Sequence, residues 1–139
     1  MNKFLILSFF PIFILLASCS SGPILPPSSL AEKKIDFLVL KTLNTQSRVH
    51  KKTLRYKFRN NNSYRTTVND QTAREGNYSY YVKNHNTARL ICTHSINNQL
   101  SSYEVILTFV NPQSGTWASS YNNKSIGAES GTFVIAGEK

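Results

Sequence analysis

"YSYYVKNHNTARLICTHSINNQLSSYEVILTF" (Tyr78–Phe109) alternates apolar and polar residues in three successive runs, and that alternation decides the fold. Tyr78, Tyr80 and Val82 form one set. Ala88, Leu90 and Cys92 form a second, and Tyr103, Val105, Leu107 and Phe109 a third. A period of two sends successive side chains to opposite faces of a pleated strand, so each set predicts one buried face. Upstream the same period recurs in Ile35, Phe37 and Val39, in Leu54, Tyr56 and Phe58, and in Tyr64, Thr66 and Val68. Downstream, Trp117, Ser119 and Tyr121 make a weaker set, and Phe133 with Ile135 the last. "RNNNS", "NDQTAREG", "NNQLSS", "NPQSG" and "NNKSIGAESG" separate the runs with turn-forming residues. No stretch after residue 40 has a 3.6-residue period. "SSLAEKKIDFL" can be read as a short helix capped by Ser29 with Glu32 three residues on, or as strand from about Lys34, and the second reading is preferred.

Eight short antiparallel strands must hide their edges, and closure does so completely. The expected fold is all-β: a single antiparallel up-and-down barrel of about eight strands over residues 34–139. A barrel of that size is just filled by its own side chains, or holds one small ligand. The Tyr, Phe and Val of the inward sets favour a filled one.

The chain opens "MNKFLILSFFPIFILLASCSSG". Lys3 precedes an apolar run from Phe4 to Ala17, long enough for a signal-peptide core and short for a bilayer span of about 20 residues. Leu16-Ala17-Ser18-Cys19 resembles the lipobox of bacterial lipoproteins. That resemblance implies a signal peptide over 1–18, removed before Cys19, and covalent diacylglycerol and acyl lipid on the Cys19 sulfur. Two or three chains anchor a protein stably where one does so marginally. Ser20 stands where an aspartate would retain an enterobacterial lipoprotein at the inner membrane, which implies the outer membrane of a bacterial envelope. The Ser- and Pro-rich residues 19–33 read as a tether.

From Gly76 on, Gly76-x-Tyr78-x-Tyr80, Asn86 to Ala88 with Leu90, Tyr103, Leu107 to Phe109, Ser114 to Thr116 and Gly131 to Phe133 resemble a pattern of exported bacterial β-domains similar to calycin and lipocalin barrels. "SSLAEKKIDF" fits its opening strand, with Glu32 where a glycine is expected. The resemblance implies a fold and no activity. Gly76, Gly115 and Gly131 read as strand starts, where a hairpin needs φ > 0 or a barrel strand must bend.

Net charge is +9 and concentrated. Lys41, Arg48, Lys51, Lys52, Arg55, Lys57, Arg59 and Arg65 lie in one block, 41–65, without an acid. Arg55, Lys57 and Arg59 alternate with Leu54, Tyr56 and Phe58, which predicts a basic row facing outward. Such a row suits anionic envelope lipids or glycans, and equally a solvated face that protects an edge. A lipid-anchored exported protein rarely meets nucleic acid, so none is expected as a partner despite the charge.

With Cys19 carrying lipid, Cys92 has no disulfide partner and reads as a buried thiol. His50, His85 and His94 have no metal-ligand spacing, so no metal and no cofactor beyond the lipid is expected. No GxSxG, phosphate loop or suggestive carboxylate pair occurs, and no catalytic residue is assigned. Three functions follow, in order. The first is a non-catalytic binding or structural module of the envelope with a basic surface at Lys51, Lys52, Arg55, Lys57, Arg59 and Arg65. The second is a carrier of a small hydrophobic ligand lined by Tyr80, Leu90, Tyr103 and Trp117. The third is a thiol enzyme at Cys92 and His94.

Overall fold

Alternation becomes burial along most of the described strands. The computed structural model describes residues 23–42, 52–68, 70–121 and 128–136. They form β1 (Lys34–Thr42), β2 (Lys52–Phe58), β3 (Ser63–Val68), β4 (Gln71–Val82), β5 (Thr87–Ile96), β6 (Gln99–Asn111), β7 (Ser114–Tyr121) and β8 (Glu129–Ala136). Each strand pairs antiparallel with the next, and β8 returns to β1, so the sheet is a closed up-and-down barrel. The apolar sets turn inward: Ile35, Phe37, Val39, Tyr56, Phe58, Leu90, Leu107 and Phe133 are all less than a tenth exposed. The Tyr78 set fades along β4, with Tyr80 half-buried and Val82, the strand's last residue, exposed.

Aromatic rings fill the interior. Phe37 meets Tyr56 edge-on at 5.0 Å and Trp117 at 5.1 Å, and Phe58 meets Tyr78 at 4.7 Å. Such pairs add about 0.5–1.5 kcal/mol each beyond the area they bury.

The glycines do something other than the sequence suggests. Among the described residues no glycine has positive φ, and Gly76 lies in mid-strand. The left-handed positions fall instead to Glu32, Asn62, Asp70, Asn97 and Asn98. Asn97 and Asn98 make the tight β5–β6 hairpin, where two residues with φ > 0 match the twist of the strands. Glu32 occupies the site where glycine was expected, at φ 58°. The three glycines are inward positions between two larger residues on the flanking strands. Gly76 pairs with Tyr64 on one side and His94 on the other, and Tyr64 Oη and His94 Nδ1 lie 3.2 Å apart. Gly115 sits between Phe109 and Phe133, whose rings touch at 5.0 Å. Gly131 faces Trp117, whose indole N–H donates to Thr132 O in β8 (3.1 Å) and Leu38 O in β1 (3.3 Å). A Cβ on Gly131 would stand 1.8 Å from Leu38 O, so the glycine is there for close approach.

The stretch read as tether is bound to the barrel over much of its length. Leu30 is fully buried in the core, Ile24 packs against it, and Pro26 is buried. Phe58 N–H donates to Lys33 O, and Asn60 N–H to the Glu32 carboxylate. This strap, Ile24 to Lys33, lies at the end of the barrel where β1 begins, against the turn 59–62 and the last residues of β4, and strand order puts the turns 83–86 and 112–113 at the same end. Cys19 lies outside the described residues.

Candidate functional site

The far half of the interior, away from the strap, carries the polar side chains. Tyr56 and Tyr103 share a hydrogen bond between hydroxyls at 2.8 Å, brought together across the barrel from β2 and β6. Cys92 and His94 face inward from β5 because both fall on its buried face. His94 stacks edge-on against Tyr103 at 5.7 Å. Among the described residues, its buried Nε2 has no hydrogen-bond partner. Burial lowers the His94 pKa, and the nearby Arg74 charge lowers it further. Burial pushes the Cys92 thiol up to about 12, while a hydrogen bond with Tyr103 pulls it back. Burial likewise raises Tyr103, and the acidic neighbours Tyr56, Cys92 and Tyr64 add to it.

This arrangement is poor nucleophile chemistry. A thiol attacks as thiolate, and Cys92 is fully buried with its proton held on through neutral pH. Its stabilising contact is Tyr103, and the hydrogen bond of His94 goes to Tyr64. A general base must hold the nucleophile's proton, and His94 is turned to a phenol instead.

The four residues expected to line a ligand space fall into two pairs, Tyr80 beside Leu90 across β4 and β5, and Tyr103 with Trp117 at one cavity. Leu90, Tyr103 and Trp117 are buried, and Tyr80 sits half-buried near the strap. Tyr103 and Trp117 do border one cavity, with Phe37, Leu54, Tyr56, Val105, Ser119 and Glu129. Its volume is about 10 Å³. That is room for about one water molecule, not for a hydrophobic ligand. Glu129, part of that lining, pairs with Lys52 Nζ at 2.6 Å.

Outside, Arg55, Lys57 and Arg59 are exposed and alternate with the buried Tyr56 and Phe58, the row expected from sequence. Part of the basic block's charge is matched. Arg55 forks onto Asp36 of β1 (2.8 and 3.2 Å) and reaches Asp70 at 3.5 Å. The Asp36 hydrogen bond and charge hold the Arg55 guanidinium more firmly protonated than usual. Arg65 pairs with Glu75 of β4, and Lys52 with Glu129. Asp36 and Glu75 lie on the strands paired with β2 and β3, Glu129 on β8 and Asp70 in the turn before β4, all outside the acid-free block 41–65, which therefore gave no sign of them. Lys51 and Arg48 lie outside the described residues. Among the described residues, no group of three His, Cys, Asp or Glu side chains is placed to hold a metal.

Fold and interior together define a small closed β-barrel, filled by aromatic side chains, with its charge on the outer wall. No family model matches the chain, and no curated protein or solved structure matches it either.

Proposed function

We propose that this chain is a lipid-anchored protein of the bacterial cell envelope, held in the outer membrane by acyl chains on Cys19. Its barrel acts as a non-catalytic binding or structural module. The observation that carries the non-catalytic reading is the filled interior. With about 10 Å³ beside Tyr103 and Trp117, and a buried, protonated thiol at Cys92, recognition is left to the outer wall. That wall carries Arg55, Lys57, Arg59 and Arg65, and anionic envelope lipids or glycans are the partners whose charge suits it.

Two measurements test this. Mass spectrometry of the protein made in a bacterium will find a processed chain beginning at Cys19 and carrying diacylglycerol with acyl chains. A chain that keeps residues 1–18, or an unmodified Cys19, defeats the anchor. Binding of the lipid-free domain to anionic vesicles should weaken steeply with salt. It should drop when Lys57 and Arg59 are changed to Gln. Salt-insensitive binding would defeat the electrostatic reading.

A further inference from the structure

The strap fixes which end of the barrel faces the lipid. We infer that the strap end is a membrane-contact surface, pressed onto the leaflet that holds Cys19; this rests on the lipid anchor proposed above. Ile24 already packs against the core, and it stands five positions after Cys19. A chain spans at most about 3.5 Å per residue, so the anchored sulfur lies within about 17 Å of that docking point. Were all of residues 19–33 free, the reach would be about 50 Å and the domain could tumble. Docking removes that freedom and holds the end with the strap and the turns 59–62, 83–86 and 112–113 close to the headgroups.

The chemistry of that end suits such a contact. Lys33, Lys34, Arg59 and Lys83 are partly or fully exposed there. The nearby acid, Glu32, already accepts the Asn60 N–H. Leu25, Tyr81, Val82 and Val110 are exposed apolar residues of the strap and of the strand ends beside those turns. Basic side chains attract lipid phosphates, and an exposed tyrosine with short aliphatic neighbours favours the headgroup boundary. Basic residues also occur between β1 and β2, at Arg48 and Lys51, so charge alone does not choose the end. Tether length does.

The test uses the full, lipidated protein in vesicles of phosphatidylethanolamine and phosphatidylglycerol. A polarity-sensitive fluorophore is placed at Val82→Cys on the strap end and, separately, at Leu100→Cys on the opposite end. Cys92 is buried and stays unlabelled in the folded protein. Emission at Val82→Cys should shift to the blue, and quenching by spin-labelled lipid should be several-fold stronger than at Leu100→Cys. Equal quenching at both positions, in protein shown to be acylated and to float with the vesicles, overturns the orientation and leaves the anchor standing. Protein that neither carries lipid nor floats overturns the anchor, and this inference falls with it. A Gly-Ser insertion between Gly22 and Pro23 leaves the strap docked and lengthens the reach. It should reduce quenching at Val82→Cys, and unchanged quenching overturns the role of tether length.

Discussion

The two ends of this barrel are built on different principles. At the strap end the core is apolar: Leu30 is fully buried in the same cluster as Ile35, and the Phe58 and Tyr78 rings meet edge-on. At the far end the interior is polar: Tyr56 and Tyr103 share a hydroxyl hydrogen bond beside a cavity of about 10 Å³, and Cys92 and His94 both contact Tyr103. Apolar packing is forgiving in direction and costly to hollow out. Buried polar networks depend on each partner being present. The same closed sheet therefore tolerates different injuries at its two ends.

Leu30→Ala attacks the strap end and should have the largest effect. A fully buried leucine removed from a core costs about 2–5 kcal/mol, so chemical denaturation should show a large drop in the midpoint at unchanged slope. A loss under about 1 kcal/mol, in the range of a surface change, would mean that the strap is not part of the cooperative unit. Gly131→Ala comes next. Its Cβ would meet Leu38 O, and backbone cannot swing aside as a side chain can. About 2–3 kcal/mol is expected from such overpacking, read from the same denaturation curves. At the far end, Tyr103→Phe deletes the hydroxyl that hydrogen-bonds Tyr56, for about 1 kcal/mol.

The polar end should also make stability depend on pH, at both limits. The folded His94 pKa lies below its ordinary 6.5, so below about that pH the unfolded chain takes up a proton that the folded one resists. Stability should then fall as pH drops, and His94→Gln should flatten that acid limb. Cys92 works in the opposite direction. Its thiol is raised from 9.0 to about 12, so above about pH 9 the unfolded chain ionises first and stability falls again. Melting temperature against pH reads both limbs. At pH 8 a maleimide should leave Cys92 unmodified until the protein unfolds, and fast labelling of the native state would revive the thiol as a nucleophile. The smallest effect is expected on the outer wall. Arg55→Ala breaks the Asp36 and Asp70 pairs, yet an exposed pair is worth about half a kcal/mol.

What could be read from sequence was whatever depends on neighbours along the chain. Period-two alternation placed Ile35, Phe37 and Val39, and likewise Leu90 and Cys92, on the inner face because a strand's pleat is a local property. What needed the register could not be read. The role of Gly76 exists only because Tyr64 and His94 arrive on either side of it, from residues 12 positions before and 18 after. Glycine codes for φ > 0 and for close approach alike, and only the cross-strand partners tell them apart. The strap was hidden for another reason. Prolines and serines give no period, and a single leucine reaching into the core looks in sequence like any leucine in a linker. The acids that match the basic block were legible as residues but not as partners, since Asp36 and Glu75 reach Arg55 and Arg65 only through strand pairing. Whether the barrel was filled depended on how the rings interlock, which no periodicity reports.

The seam between β1 and β8 has one more consequence. Lys34 pairs with Ala136, so β1 waits about a hundred residues, until β8 arrives, before its second partner exists. A polypeptide delivered N-terminus first, from a ribosome or through a translocation channel, must keep β1 half-paired until β8 has emerged. Until then the growing sheet has two raw borders, open to neighbouring nascent chains. Protection from misassembly in that interval falls to whatever binds extended chains on the way, and it ends with the arrival of the last eight-residue strand.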